Sequence, residues 1–211
     1  MERFTDRKDA GRRLAARLAE HDGEDPIVLA LPRGGVPVAV EIARALDADL
    51  DVLVVRKLGV PGHEEVAMGA VGEDGTSVLN EDVIGMGAIP ASAVTAARER
   101  EGAEVTHRVD LLREGRPAPA LAGRTAIIVD DGIATGATAR AGCAIARARG
   151  AARVVLAVPV APPDAVTHVP EADEVICVLT PESFMAVGMH YLDFAQVSDE
   201  EVIEQLRAFR A

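Results

Sequence analysis

The sequence predicts an α/β fold, a central parallel sheet flanked by helices, and three observations lead there. Apolar runs rich in Val, Ile and Leu recur at 27–31, 50–55, 125–129, 154–160 and 174–179. Helical patterns alternate with most of them, at 7–20, 36–46, 137–149 and 199–209. Near-continuous apolar strands belong to sheets covered on both faces, and strand–helix alternation produces parallel pairing. Finally, three of the runs lead into charged or glycine-bearing residues: Arg33-Gly34-Gly35, Arg56-Lys57 and Asp130-Asp131. Open parallel sheets bind ligands beyond the carboxyl ends of their strands. Three strand ends with suitable chemistry therefore mark one site better than any single motif.

Along the chain, Leu14, Leu18 and interspersed alanines give 7–20 an apolar face with arginines opposite, an amphipathic helix. His21-Asp22-Gly23-Glu24-Asp25-Pro26 breaks it. Ile27–Leu31 is a buried strand ending at Pro32-Arg33-Gly34-Gly35, and Val36–Leu46 is helical. Leu50–Val55 is the next strand, ending at Arg56-Lys57. Residues 59–65, with two glycines and a proline, read as a polar loop. Val66–Val71 and Ser77–Leu79 form a β pair around Gly72-Glu73-Asp74-Gly75. Pro90–Arg113 is a long charged helix with a weak apolar stripe, the main part of a helical insertion at about 81–118. Gly115–Gly123, with two prolines, is a linker. Thr125–Val129 is a strand and 137–149 its helix; Val154–Val160 and Glu174–Leu179 are further strands, and 199–209 closes the chain. All of 1–211 is read as a single domain.

Composition excludes several function classes. Among 211 residues, 49% are hydrophobic and 27% charged, enough for a full core and little long disorder. The net charge of −12 argues against a nucleic-acid partner, whose phosphates require clustered Lys and Arg. Lys8 and Lys57 are the only lysines. The acidity fits either ordinary solubility or adaptation to salt. Cys143 and Cys177 are too few for a disulfide framework or a zinc site and are expected to be buried thiols. His168 and His190 lack metal-ligand spacing. The charged start Met1–Arg7 has no apolar leader region, and no run reaches the roughly 18 apolar residues of a membrane span. A soluble cytoplasmic protein without a membrane partner is expected.

The most informative stretch is Ile127–Thr138. An apolar strand delivers Asp130 and Asp131, and Gly132-Ile133-Ala134-Thr135-Gly136-Ala137-Thr138 then opens a helix. Ionised carboxylates accept hydrogen bonds from vicinal hydroxyls and suit the hard coordination of Mg²⁺. A helix N-terminus offers unpaired amides and a favourable dipole to phosphate. One segment thus serves a sugar and its phosphate.

Val129–Thr138, two acids followed by Thr-Gly-Ala-Thr after an apolar strand, resembles the 5-phosphoribosyl-1-diphosphate (PRPP) motif of type I phosphoribosyltransferases. The resemblance implies that Asp130 and Asp131 hold the ribose hydroxyls, with Mg²⁺ as cofactor, and that Ala134–Thr138 wrap the 5′-phosphate. It makes Arg33-Gly34-Gly35 the diphosphate loop and Lys57 a basic residue beside the diphosphate. Arg33, Lys57 and Asp131 become the catalytic candidates. Residues 59–68 match the family's closing loop in position, with His63, Glu64 and Glu65 near the reacting centre and no role assigned to them. Phe184, Tyr191 and Phe194 fall in the family's hood, about 180–197, where Phe184 and Tyr191 would receive the acceptor base. Phe4-x-Asp6-Arg7, Ala10-Gly11-Arg12, Leu31–Pro37, Val55–Gly59 and Ser198–Val202 extend the likeness across nearly the whole chain, to a bacterial and archaeal group whose acceptor is not established.

The implied reaction moves the 5-phosphoribosyl group of PRPP to a nitrogen nucleophile, a nucleobase or related small molecule, and releases diphosphate. A homodimer is expected. The 6-oxopurine enzymes carry an additional aspartate where this chain has Ala134, which argues against hypoxanthine or guanine as acceptor. The competing expectation is a PRPP- or nucleotide-binding sensor without turnover, since regulators share the fold.

Overall fold

The computed structural model describes residues 2–19, 25–167 and 169–210. The chain runs α1 (Arg7–Ala15), β1 (Pro26–Ala30), α2 (Gly35–Ala45), β2 (Asp49–Val52), β3 (Arg56–Val60), β4 (His63–Val71), a 3-10 turn at Glu73–Gly75, β5 (Ser77–Leu79), α3 (Glu81–Met86) and α4 (Ala91–Arg113). It continues through β6 (Thr125–Val129), α5 (Ala137–Ala148), β7 (Arg153–Val160), α6 (Pro163–Thr167), β8 (Glu174–Leu179), a 3-10 turn at Val187–His190 and α7 (Asp199–Arg210).

Five strands form a parallel sheet in the order β2-β1-β6-β7-β8. Successive strand residues point to opposite faces, and both faces are covered. Val28, Ala30, Ile127 and Val129 pack with Leu14 of α1, Val38 and Ile42 of α2, and Val202 and Leu206 of α7. Ile27, Leu29, Ala126 and Ile128 pack with Cys143, Ile145 and Ala146 of α5. That double covering is why β1 and β6 are buried at every position and read as unbroken apolar runs. The parallel sheet flanked by helices is the architecture expected. Arg33–Gly35 and Asp130–Gly136 follow the carboxyl ends of β1 and of the central strand β6, which are neighbours in the sheet.

The region after β2 departs from expectation. β2 ends at Val52, so Arg56 and Lys57 open β3 instead of closing a strand. The polar segment 59–65 is a hairpin tip, with Pro61 and Gly62 turning between β3 and β4. β3, β4 and β5 make a separate antiparallel sheet. Its pairing slips around Gly59, where a Cβ would lie 2.9 Å from the carbonyl oxygen of Glu64. Pro61, Gly62, His63 and Glu64 are all exposed, so the period-two signal that identifies a half-buried strand is absent there. The helix expected over 7–20 is regular only to Ala15. The break at 21–24 and His168 lie outside the described residues.

α4 is fastened by a buried cation. Arg113 at its last turn donates to Asp51 on β2 (2.8 Å), to Glu73 after β4 (2.6 and 2.9 Å) and to the Val52 carbonyl (2.9 Å). Arg210 of α7 reaches the other oxygen of Asp51 at 2.9 Å. A buried charge is tolerated only when its hydrogen bonds are satisfied, and the Arg113 fork meets that condition.

Candidate functional site

The site grows from contact between the ends of β1 and β6. Leu31 N–H donates to the Val129 carbonyl at 2.8 Å, carrying the pairing past the strand ends. The Pro32–Arg33 peptide is cis. A Cβ on Gly35 would lie 2.5 Å from the Val129 carbonyl oxygen, and one on Gly34 would overlap the carboxylate of Asp131. The glycines have ordinary helical backbone here, so close approach and not conformational freedom requires them. Gly34 leaves room for Asp131, a role its sequence context did not show.

Asp131 is held from two sides. Arg7 Nε donates to its Oδ2 at 2.8 Å, and the Tyr191 hydroxyl donates to its backbone carbonyl at 2.5 Å. Arg7 also donates to the Ala195 carbonyl (2.7 Å) and lies 3.9 Å from the centre of the Phe194 ring, a cation–π arrangement. Asp130 accepts from the Asp131 N–H at 2.9 Å. Burial raises the proton affinity of both acids, and the charge of Asp131 raises that of Asp130 further. Arg7 opposes the rise at each. Two adjacent half-buried carboxylates are a repulsive pair that added positive charge or hydroxyl donors would relieve.

The segment after the acids is open. Ala134, Thr135, Ala137 and Thr138 are exposed, and Gly136, at φ 74°, caps α5 with no side chain bonded to its first amides. Gly132 (φ 149°) packs where a Cβ would strike Val187 Cγ1. An uncapped twelve-residue helix beside two threonine hydroxyls is suited to a phosphate.

Arg33 and Lys57 line different cavities. Arg33 faces a cavity of about 380 Å³ with Arg56, Glu104, Arg108 and Thr138. Lys57 lines a different cavity of about 580 Å³ with Gly69, Ala137, Arg140 and Glu171. Consecutive strand residues face opposite ways, and because β3 starts at Arg56, it is Arg56 that shares space with Arg33. His63 and Glu64 are exposed on β4, and the side chain of Glu65 lies outside the described ones.

The hood also differs from expectation. Tyr191 is 4% exposed, its ring 5.2 Å from Phe4 and 4.9 Å from Phe194. It packs in a small core with Ala10 and Val160. With both ring and hydroxyl engaged it supports Asp131 and is no stacking platform for a base. Phe184 is half-buried and stacks on His190 at 5.4 Å, and Met185, next to it in the chain, is exposed. Sequence reasoning missed Arg7 as a partner of Asp131. The Phe4-x-Asp6-Arg7 stretch held the only signal: Asp6 caps α1 and sets Arg7 in its first turn. Burial pushes the Cys143 thiol up to about 12, leaving it inert. Among the described residues no group of three or more His, Cys, Asp or Glu could hold a metal.

The model of the phosphoribosyl transferase domain family matches residues 2–191. The chain belongs to the phosphoribosyl transferase family. This chain is 55% identical over 212 residues to two Mycobacterium tuberculosis proteins (strains CDC 1551 / Oshkosh and H37Rv) that carry the provisional name phosphoribosyl transferase. The match takes in 100% of this chain and 48% of theirs, so the chain spans about half the length of the curated relatives it matches. Among solved structures, TT1426 from Thermus thermophilus is similar at a TM-score of 0.91 and 44% identity, over 98% of this chain and 99% of that one. The five-stranded parallel sheet flanked by helices is thus an architecture shared with TT1426. No helix among the described residues is long and apolar enough to cross a membrane.

Proposed function

We propose that this phosphoribosyltransferase moves the 5-phosphoribosyl group of PRPP to a nitrogen nucleophile on a small acceptor, a nucleobase or related compound, with release of diphosphate. The observation that carries this reading is the meeting of paired acids, an uncapped helix N-terminus and the Arg33-Gly34-Gly35 loop at the ends of β1 and β6. These three features match the ribose, the 5′-phosphate and the diphosphate of one molecule.

Asp130 and Asp131 orient the ribose through its 2′- and 3′-hydroxyls, Arg7 and Tyr191 keeping Asp131 in place. The amides of Ala134–Thr138 and the two threonine hydroxyls bind the 5′-phosphate. Arg33, beside the Gly34-Gly35 loop, faces the departing diphosphate. Asp130 and Asp131 have the hard oxygen donors that Mg²⁺ takes. With no third carboxylate grouped with them among the described residues, a bound ion would share its shell with substrate oxygens and water. When bound, Mg²⁺ supplies neutralisation of the diphosphate. The chain's own contribution is positioning and electrostatic stabilisation of an oxocarbenium-like transition state. Phe184 is the remaining aromatic candidate for the acceptor, and Ala134 disfavours a 6-oxopurine. The setting proposed is the cytoplasm, the state a homodimer, and the partners are small molecules rather than nucleic acid.

One observation favours a PRPP- or nucleotide-binding sensor instead: Lys57, expected beside the diphosphate, lines a cavity other than that of Arg33. An acceptor screen with Mg²⁺ and PRPP decides between them. Diphosphate release with a nucleobase or related amine is expected for the enzyme. Tight PRPP binding without release across the screen overturns turnover in favour of the sensor.

A further inference from the structure

The far end of the site holds cations that the PRPP reading leaves unused. Glu101, Glu104 and Arg108 are three and four residues apart on α4, hence neighbours on one face. They adjoin the buried stripe of Val94, Ala97, Val105 and Leu112. A helix that only packs carries apolar residues there. Here the Glu101 side chain is 15% exposed and that of Arg108 30%. This is the physical reason for the weak apolar stripe: α4 gives up packing to keep charges beside the cavity beyond Pro32–Gly35.

Each guanidinium on this cavity has a carboxylate partner. Arg56 meets Glu101 at 3.2 Å. Arg108 is bidentate to Asp199, at 2.8 and 2.5 Å, and Arg33 Nη1 lies 4.0 Å from the same carboxylate. Asp199 is not needed to cap α7. Ser198 and Glu201 do that by reciprocal bonds, the Glu201 N–H donating to Ser198 Oγ (3.1 Å) and the Ser198 N–H to Glu201 Oε2 (2.7 Å). The Asp199 side chain is thus committed to the two arginines, and Thr138 of the phosphate segment borders the same cavity.

We propose that Arg108, supplied by the helical insertion, is a further binding residue for the diphosphate of PRPP, with Arg56 beside it, and that Asp199 holds Arg108 until the diphosphate displaces it. The inference rests on the proposed function. A guanidinium fork pairs bidentately with carboxylate or phosphate, so Arg108 can exchange one for the other without losing hydrogen bonds. A terminal phosphate brings more charge than the single carboxylate it replaces. No covalent bond changes, and substrate binding draws α4 onto the site while releasing its tie to Asp199 of α7.

The test is calorimetric titration of the whole chain with Mg²⁺ and either inorganic diphosphate, PRPP or ribose 5-phosphate. Arg108→Gln is expected to weaken diphosphate and PRPP by about ten- to a hundredfold, the range for a hydrogen-bonded charge. Ribose 5-phosphate, which lacks the group, should bind as before, and Arg108→Lys should recover part of the loss. Asp199→Asn, which removes the competing carboxylate, should leave diphosphate binding equal or tighter. Unchanged diphosphate affinity in Arg108→Gln, with wild type binding well, overturns this inference alone. So does a parallel loss for all three ligands in both Arg108→Gln and Asp199→Asn together with a lowered melting temperature, which marks a structural tie. Failure of the wild-type chain to bind PRPP or diphosphate overturns the proposed function as well.

Discussion

The two ends of the site are built in different ways. At the β6 end, Asp130 to Thr138 are contiguous, and one strand-to-helix turn presents acids, amides and hydroxyls together. At the far end, Arg33, Arg56, Arg108 and Asp199 come from the β1 loop, β3, α4 and α7, and only the tertiary fold makes them neighbours. The first end depends on local geometry and the second on long-range fastening. The first should therefore fail through small displacements, and the second through loss of the network that holds α4.

The largest expected effect is on that network. Arg113→Met removes the cation buried among Asp51 and Glu73 and leaves two carboxylates short of a partner. Such losses cost about 3–5 kcal/mol, so the chemical-denaturation midpoint should fall sharply. A midpoint within error of wild type would show that α4 needs no such fastening. Next come the two glycines. Gly35→Ala drives a Cβ against the backbone of β6 and should destabilise the fold by about 1–3 kcal/mol. Gly34→Ala presses instead on the Asp131 side chain. It should keep most stability while losing PRPP affinity. Equal stability losses in the two variants would erase the distinction between a site contact and a core contact.

The smallest effect separates two aromatics. Tyr191→Phe removes one hydroxyl bond to Asp131, worth about 1 kcal/mol, and should appear in PRPP affinity and not in the acceptor KM. Phe184→Ala should raise the acceptor KM and leave PRPP affinity nearly unchanged. The opposite pattern would return Tyr191 to the role its sequence position suggested.

Legibility in the sequence followed the same division. β6 and the start of α5 were readable to the residue, because a buried parallel strand is uniformly apolar and glycine opens the helix, and the half-buried edge strand β8 was legible from its apolar run after Glu174. Val66–Val71 was legible as a strand, but 59–65 read as a loop and the first strand of the hairpin was missed, because its tip is exposed and its pairing irregular at Gly59. Arg56-Lys57 read as a strand end, whereas it opens β3, and Arg56 rather than Lys57 lines the cavity that Arg33 faces. Tyr191 looked like a base platform because composition shows an aromatic but not what covers it. Arg7 is 124 residues from the carboxylate it serves, and no periodicity or turn chemistry carries information across that distance.

The central claim is that Asp131, positioned by Gly34, Arg7 and Tyr191, binds the ribose of PRPP. Calorimetric titration of PRPP with Mg²⁺ into the wild-type chain and Asp131→Asn tests it most directly. The account predicts saturable binding by the wild type and a loss of about tenfold or more in the variant, the usual consequence of removing a charged hydrogen-bond partner. Equal PRPP affinity in the two proteins would contradict it.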